Sequence, residues 1–315
     1  MHSSFNFGRA LRRLRMRHFE LLHLLGREGS VRAAARQMAL TQPAVSKLLQ
    51  EIEGCFDAML FDRTSSGVVP NAAGEHLIAH ATQWLNQLER SGEDVSRLSH
   101  GAAVTLRVGT FSVLPRMVRA IATLRERIPH VIVLVREAPM VAQLSALAEG
   151  QLDCVVGALP PEALTSPVAE SLRLDWVADD ALCVMAGPYH PLASAGPLDW
   201  RELEGNTWVL PPKESLLRRA FIDAHLSAGL TPPPPAVELL SPVMVAEILA
   251  RDAGLLGLMR LEHAEAERAA RRLQRIALRS EVSLPSLSLI TNSQQGVSAE
   301  LLGAFAVALK DHDVS

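Results

Sequence analysis

The sequence predicts an α/β protein with a helix-rich N-terminal head, and three features of the chain support this prediction. Short capped helices and two extended runs occupy the first 71 residues, and one long amphipathic segment follows them. After residue 100, apolar strand-like runs alternate with helical segments. Such alternation predicts a sheet with parallel strands and helical crossovers. We therefore expect a basic tail over 1–13, a winged helix-turn-helix over 14–71, a linker helix over 72–100 and a two-lobed α/β domain over 101–312.

The composition is that of a globular protein with a mainly aliphatic interior. Hydrophobic residues make up 48% of the 315 residues, and aromatic residues only 4%. No apolar run is long enough to cross a bilayer, and the N-terminus lacks the apolar stretch and cleavage site of a signal peptide. We therefore expect a cytoplasmic protein with no membrane partner. The cysteines are far apart and form no CxxC pair, which favours reduced thiols at Cys55, Cys154 and Cys183.

Charge is distributed unevenly along the chain. The formal net charge of the whole chain is -3, yet the first 70 residues carry ten Arg or Lys and only six Asp or Glu. A basic head on an acidic body is typical of a DNA-binding module joined to a soluble sensor, although chance asymmetry gives the same count.

The head begins with three short helices whose starts are marked by capping residues. Residues 14–25 form a first helix with an apolar face, which we expect to stop within 26–29. Ser30 is placed to cap a second helix over 31–39, where three consecutive alanines allow close helix packing. Thr41 is placed to cap the third helix, and Pro43 lies in its first turn, where a missing N–H costs nothing.

The third helix has one apolar and one polar face. The apolar face carries Val45, Leu48, Leu49 and Ile52, and the polar face carries Gln42, Ser46, Lys47 and Gln50. A polar helix start of this kind fits the major groove of DNA, where short side chains reach base edges and phosphates. Two extended runs around a Ser/Gly turn then predict a β-wing, in which Arg63 can contact phosphate.

The head resembles the DNA-binding domain of the LysR-type transcriptional regulator family. The resemblance rests on the segments Gly29-Ser30-Val31-Arg32-Ala33-Ala34-Ala35, Leu40-Thr41-Gln42-Pro43-Ala44-Val45-Ser46-Lys47 and Leu60-Phe61-Asp62-Arg63. With the polar face described above, it implies a DNA contact surface of Arg32, Thr41, Gln42, Pro43, Ser46, Lys47, Gln50 and Arg63. The family usually has Leu-Gly after the third helix, where this chain has Phe56-Asp57. We expect the turn to survive, because Asp tolerates left-handed backbone angles.

The linker helix is predicted to start after the capping residue Asn71 and to end near residue 98. Its apolar side chains recur at a spacing near 3.5, which indicates a coiled-coil-like dimerisation seam of Leu77, Ala81, Trp84 and Leu88. The alternative is an ordinary helix packed on its own domain. His76 and His80 are four residues apart, but without a third ligand nearby they make a poor metal site, so we expect none.

The body beyond residue 100 is predicted as two lobes, lobe I over about 101–174 and 277–312 and lobe II over about 175–276. The resemblance to the LysR family, diffuse in this part, implies the type 2 periplasmic-binding-protein fold. Ligands of open parallel sheets lie at the carboxyl ends of strands and at helix N-termini. That rule nominates Thr110, Phe111, Ser112, Met140, Ser215, Ser241 and Pro242 as effector contacts. Free amides and Ser hydroxyls there could hold a carboxylate or a polyol, and each Ser could equally be a plain helix cap.

Three other functions compete with effector-controlled regulation. An enzyme is disfavoured because GxSxG, Walker A, HExxH and GxGxxG motifs are absent, and the adjacent Asp179-Asp180 pair is expected on the surface. A solute-binding protein would fit the two-lobed body but not the DNA-reading head. A thiol redox switch through Cys154 and Cys183 is disfavoured because both lie in strands that the pattern predicts to be buried.

Together with the resemblance, these features predict a transcription regulator that binds double-stranded DNA at an inverted-repeat promoter site as a homodimer or homotetramer. RNA polymerase is an expected partner, and a small-molecule effector, rather than a cofactor, is expected between the lobes. The sensor resembles members that control sugar uptake or aromatic-acid catabolism, and the sequence does not choose between these two.

Overall fold

The computed structural model describes residues 12–64, 67–99, 104–164, 171–292 and 299–311. The predicted basic tail lies almost entirely outside these residues, as do the Ser65-Ser66 turn of the wing and Ser298, the expected start of the last helix. The chain divides into two compact units. The first comprises residues up to Thr105 together with Ser145–Asp153, and the second comprises Leu106–Leu144 and the chain from Cys154 onward.

The first unit is a helical head with a two-stranded wing. Three helices come first: α1 (Met16–Glu28), α2 (Val31–Gln37) and α3 (Gln42–Phe56). The antiparallel strands β1 (Phe61–Thr64) and β2 (Gly67–Pro70) form the wing, and the 27-residue helix α4 (Ala72–Leu98) follows. The three predicted helices, the wing and the long helix are therefore all present, within a few residues of their expected bounds.

Side-chain caps set the starts of these helices as the sequence predicted. The Ser30 hydroxyl accepts from the Ala33 N–H at 3.3 Å, and the Thr41 hydroxyl accepts from the Ala44 N–H at 3.4 Å. The helix ends differ slightly from expectation, because α1 continues through Gly26 and ends where Gly29 takes a left-handed φ of +62°. Asp57 has φ +51° after α3, so it adopts the left-handed turn expected of it.

One apolar core holds the head together. It joins the inward faces of α1, α2, α3, the wing and the first turns of α4, with fully or almost fully buried Leu21, Leu22, Leu25, Ala34, Val45, Ile52, Leu60, Leu77 and Ala81. Because α4 contributes to this core, its N-terminal part is a component of the head rather than a free rod.

The second unit is built on one large mixed sheet. Its strands are β3 (Val104–Thr110), β4 (Val131–Glu137), β5 (Cys154–Gly157), β6 (Leu172–Ala186), β7 (Thr207–Leu210), β8 (Val237–Glu238), β9 (Leu255–Arg260), β10 (Gln274–Ile276) and β11 (Val282–Asn292). Their order across the sheet is β4-β3-β5-β11-β6-β9-β7-β8, and β10 also pairs with β6. The helices between them are α5 (Pro115–Arg127), α6 (Met140–Ala148), α7 (Pro161–Leu164), α8 (Leu216–Ser227), α9 (Pro242–Arg251), α10 (Leu261–Ala269) and α11 (Ala299–Lys310).

Two long antiparallel strands, β6 and β11, run through both lobes. Within lobe I, β11 pairs with β5, and β3 pairs parallel to β5; within lobe II, β6 pairs with β9, and β7 pairs parallel to both β8 and β9. The register between β6 and β11 shifts between Leu284 and Leu287, where the strands pass from one lobe to the other. Separate apolar cores lie on the two sides of this irregularity.

The body departs in several places from a regular arrangement of parallel strands and helices. The sheet is mixed rather than purely parallel, because the crossing strands run antiparallel to their neighbours. Strand β6 starts at Leu172, well before its most apolar stretch, and residues 173–176 are exposed. Strand β8 is reduced to Val237–Glu238 after the run of prolines, and helix α10 buries only Ala264.

Candidate functional site

The first turns of α3 present the predicted polar face to solvent. Thr41, Gln42, Pro43, Lys47 and Gln50 are exposed and Ser46 is half-buried, whereas Val45, Leu48 and Ile52 of the same helix are buried in the core of the head. The Thr41 hydroxyl accepts from the Ala44 N–H as the helix cap, and its own O–H can still donate to DNA. The remaining side chains form the α3 reading face, defined as Gln42, Pro43, Ser46, Lys47 and Gln50.

Exposed cationic side chains also lie on α2 and on the wing. Arg32 on α2 and Arg63 on β1 are both exposed. Within the described part of the chain, neither of these arginines nor Lys47 forms an ion pair. By contrast, Arg27 is bound to Glu28 and Gln37. Unpaired, exposed cations are suited to phosphate oxygens.

The predicted seam of the linker helix α4 is divided: its first part is buried within the head, and its second part is exposed. Leu77 and Ala81 are 8% and 0% exposed, because they pack into the core of the head against α1. The prediction that these two residues form a dimerisation surface was therefore wrong. Trp84 and Leu88, one and two turns later, are 43% and 56% exposed. The Trp84 ring forms a T-shaped contact with Phe19, with centroids 4.9 Å apart, and stacks on His80 at 5.8 Å. The exposed apolar surface of α4 begins at Trp84.

The same helix is bound to the segment that closes α6. The Asn86 amide donates to the Glu149 carbonyl at 2.8 Å, and the Arg90 guanidinium donates to the Gly150 carbonyl at 2.7 Å. Arg90 also forms an ion pair with Asp153, which is 1% exposed. These contacts explain why residues 145–153 group with the head although the sequence assigned them to lobe I.

In lobe I, the carboxyl ends of β3 and β5 lie side by side. Phe111, Ser112 and Met140 are partly exposed there, and an added Cβ at Gly157 would meet the Met140 Sδ at 2.7 Å and the Phe111 ring at 3.1 Å. Thr110 is different, because it is fully buried and its Oγ1 lies 2.9 Å from the Val156 carbonyl. Thr110 is therefore a structural residue that ties β3 to β5, rather than the effector contact predicted.

In lobe II, the parallel strands β7, β8 and β9 also end at a shared edge. Ser215 lies at the start of α8, and its Oγ accepts from the Arg218 N–H at 3.1 Å as a helix cap. Ser241 is exposed at the start of α9, and its side chain forms no capping hydrogen bond with the described residues. The Ser241 hydroxyl is therefore available to a ligand, whereas Ser215 is partly committed.

A ring contact and a buried ion pair join the two edges. The Arg260 guanidinium, at the end of β9, lies 4.6 Å from the Phe111 ring centroid. Its Nε donates to Asp180 Oδ2 at 2.5 Å, and Asp180 is 5% exposed. Burial lowers the pKa of the Arg260 guanidinium, and the neighbouring Asp180 carboxylate opposes that shift. The expected surface position of the Asp179-Asp180 pair is thus wrong for Asp180, which faces inward.

A second ion pair links α5 of lobe I to α10 of lobe II. The Arg116 Nε donates to Glu262 Oε2 at 2.6 Å, and both side chains are largely buried. Sequence reasoning missed Arg116, Arg218 and Arg260, because an arginine is ordinarily expected on the exposed face of its helix or strand. The face that it occupies is fixed only when distant strands pair.

Thiol and metal chemistry find little support in the described residues. Cys154 and Cys183 are buried in the cores of lobe I and lobe II, and burial raises the pKa of the Cys183 thiol to about 11. No cluster of three or more His, Cys, Asp or Glu with metal-binding geometry occurs in the described ranges, and His76 and His80 contact each other only through their rings. Among the helices described, none combines the length and apolar character of a membrane span.

Comparison with known proteins agrees with this architecture. The family profile for the bacterial regulatory helix-turn-helix protein, lysR family, matches residues 16–75, and the LysR substrate binding domain matches residues 99–312. The HTH-type transcriptional regulator GbpR of Azospirillum brasilense is 31% identical over 242 residues, which cover 75% of this chain and 70% of that protein. The HTH-type transcriptional regulator GalR of Pseudomonas putida is 28% identical over 265 residues, covering 84% of this chain and 65% of GalR.

Solved structures show the same fold at low sequence identity. A full-length OxyR variant from Pseudomonas aeruginosa superposes with a TM-score of 0.61 at 17% identity, covering 94% of this chain and 95% of that chain. Full-length BenM superposes with a TM-score of 0.51 at 17% identity, covering 94% and 96% of the two chains. The chain belongs to the LysR family of DNA-binding transcription regulators, with an N-terminal helix-turn-helix and a C-terminal effector-binding domain.

Proposed function

We propose that the α3 reading face enters the major groove and selects the promoter site of this regulator. Gln42, Ser46, Lys47 and Gln50 contact base edges and neighbouring phosphates, while Arg32 and Arg63 contact the backbone on either side. The observation that supports this assignment is the exposed polar face of α3, in which Lys47 forms no ion pair with the described residues, together with the exposed Arg32 and Arg63 elsewhere on the head.

Two copies bind an inverted repeat through the exposed part of α4. Trp84 and Leu88 offer apolar surface that the head leaves uncovered, and a two-fold dimer presents two reading helices to a two-fold DNA site. Family members act as oligomers, and we propose a dimer that assembles further to a tetramer. The assembly acts on DNA in the cytoplasm, contacts RNA polymerase at the promoter and functions by binding rather than by catalysis.

The effector binds between the two strand-end edges of the second unit. Phe111, Ser112 and Met140 supply the lobe I side, and Ser215, Ser241 and Pro242 supply the lobe II side. The contact between Arg260 and Phe111 supports this position, because it brings the two edges within reach of one small molecule. Effector binding favours one arrangement of the lobes, which changes the spacing of the reading heads and the bending of the promoter.

The DNA assignment is tested by the double substitution Ser46→Ala with Lys47→Ala. The protein first selects binding sequences from a pool of random duplexes, and gel shifts at about 150 mM salt then compare affinities. Each base contact contributes about 1–3 kcal/mol, so we expect the double variant to bind the selected site at least about tenfold more weakly. The control is Ser227→Ala with Lys310→Ala, which makes the same chemical changes at exposed positions on the body. Equal affinity of both double variants for the selected site would remove α3 as the reading helix.

A further inference from the structure

A buried cation without a carboxylate partner lies beside the lobe II edge. Arg218 is in the first turn of α8, directly after the Ser215 cap, and is only 4% exposed. Helix α8 follows β7, whose last residue Leu210 is in register with Glu238 at the end of β8. Burial lowers the pKa of the Arg218 guanidinium, and the charge of Glu238 opposes that shift. The guanidinium therefore lies at the carboxyl ends of β7 and β8, on the edge that carries the proposed effector contacts.

Two of its donor groups have no acceptor. The Nε and Nη1 atoms of Arg218 are buried and form no hydrogen bond with any residue in the described ranges. No ion pair of Arg218 is found within those ranges either, and the exposed Glu238 is too far away to form one. The guanidinium carbon lies 5.9 Å from the centroid of the Phe221 ring. Buried charges in folded proteins are ordinarily paired, so this arrangement lacks a negatively charged partner.

The neighbouring arginine shows what an ordinary pairing looks like on the same helix. Arg219, the next residue, is exposed and forms an ion pair with Glu162. Arg260, the other buried arginine of this edge, is compensated by Asp180. Of the three arginines near the lobe II edge, Arg218 alone lacks a carboxylate partner among the described residues.

Building on the effector position proposed above, we propose that the effector is an organic anion whose carboxylate binds to Arg218 at the N-terminus of α8. Three features of the chain favour a carboxylate over a neutral polyol. Arginine has donors only, so its occupant must supply acceptors. The positive end of α8 adds to the attraction for negative charge. A neutral sugar would accept hydrogen bonds from the guanidinium but leave its buried positive charge unbalanced. A carboxylate accepts the same hydrogen bonds and also balances the charge.

The simplest carboxylate serves as the probe. Thermal unfolding of the full-length protein is followed in a low-salt, chloride-free buffer while sodium acetate, inorganic phosphate or the neutral isostere acetamide is titrated to about 50 mM. The variants are Arg218→Gln, Arg218→Lys and the matched control Arg219→Gln, whose arginine is exposed and already paired. General salt effects act on all variants alike, so the informative quantity is the difference between their titration curves.

We expect acetate to raise the melting temperature with saturation in the wild type and in Arg219→Gln, and to give no saturable rise in Arg218→Gln. Arg218→Lys keeps the charge and should retain a weaker response. Acetamide should have no effect. Saturable binding of phosphate without binding of acetate would identify the ligand as an inorganic oxyanion and would overturn the carboxylate proposal. Without added anion, Arg218→Gln should melt unchanged or about 2 °C higher, because a buried unpaired charge is removed. If Arg218 had a purely structural role, Arg218→Gln would instead lower the melting temperature.

Superimposable acetate curves for the wild type and Arg218→Gln, or equal stabilisation by acetamide, would overturn the anion assignment. That failure is separable from a failure of the proposed function. Saturable binding of a neutral sugar such as galactose by Arg218→Gln would leave the effector position between the lobes intact while rejecting the carboxylate. The gel-shift comparison of the α3 variants is independent of either result.

Discussion

At the scale of single residues, the energetics of the body depend on a few buried charges. Asp180 accepts from Arg260 Nε at 2.5 Å and from the N–H groups of Ala181 and Leu261 at 2.8 and 3.2 Å. One carboxylate thereby joins β6 to the end of β9 and to the start of α10, beside the Phe111 ring. A buried pair of this kind adds little net stability as a whole, but each partner depends strongly on the other.

Replacement of Asp180 by Ala is therefore expected to be severe. It leaves the Arg260 guanidinium buried without a counter-charge, which costs about 3–5 kcal/mol and lowers the melting temperature by roughly 10 °C. Asp179→Ala is the matched control, because Asp179 is adjacent but exposed and accepts only from Trp176 and Ser286. Its expected cost is below about 1 kcal/mol. Thermal unfolding at one fixed protein concentration checks both values, and equal shifts would mean that the ion pair does not govern stability here.

At the scale of elements, the head follows closely from its sequence because its signals are local. Capping residues lie next to the helices that they start, as Ser30, Thr41 and Asn71 show. A helix periodicity also reveals its buried face without reference to distant residues. The seam of α4 shows the limit of this reasoning. Spacing identified Leu77 and Leu88 as one apolar stripe, but spacing cannot tell which part of a stripe is covered by the same chain.

The exposed part of that stripe, Trp84 and Leu88, is predicted to hold two copies of the protein together. Placing charge there by Trp84→Glu with Leu88→Glu should prevent two α4 helices from packing together, because like charges would be buried at their interface. We expect the purified variant to sediment with the mass of a smaller assembly and to bind an inverted-repeat site at least about tenfold more weakly.

The control for this prediction is Gln87→Glu, which adds a charge at an exposed polar position between the two apolar side chains. It should leave the assembly intact. Unchanged mass of the double variant in sedimentation equilibrium would show that the exposed surface of α4 does not hold the copies together.

At the scale of the whole molecule, the effector position could be only partly anticipated. The rule that ligands lie at strand carboxyl ends nominated Phe111, Met140 and Ser241, which are exposed or partly exposed, and their role as effector contacts stays a prediction. It missed Arg116, Arg218 and Arg260, and it misplaced Thr110, because burial and pairing there depend on strands far apart in sequence. Asp180 and Arg260 are 80 residues apart, and the antiparallel pairing of β6 with β9 brings them together.

The same two-lobed packing determines how the thiols behave, which separates an effector-controlled regulator from a redox-controlled one. Cys154 is 0% exposed in the core of lobe I, Cys183 is 1% exposed in lobe II, and Cys55 is 8% exposed in the head. With its pKa raised to about 11, the Cys183 thiol is only about one part in ten thousand thiolate at pH 7.

We therefore expect native protein to react with a thiol reagent at pH 7.5 no faster than it unfolds, and mild peroxide to leave DNA binding unchanged. Labelling in denaturant gives the reaction rate of the three thiols when they are fully accessible. Rapid modification of Cys154 or Cys183 in the folded protein, accompanied by altered DNA affinity, would instead support the redox switch.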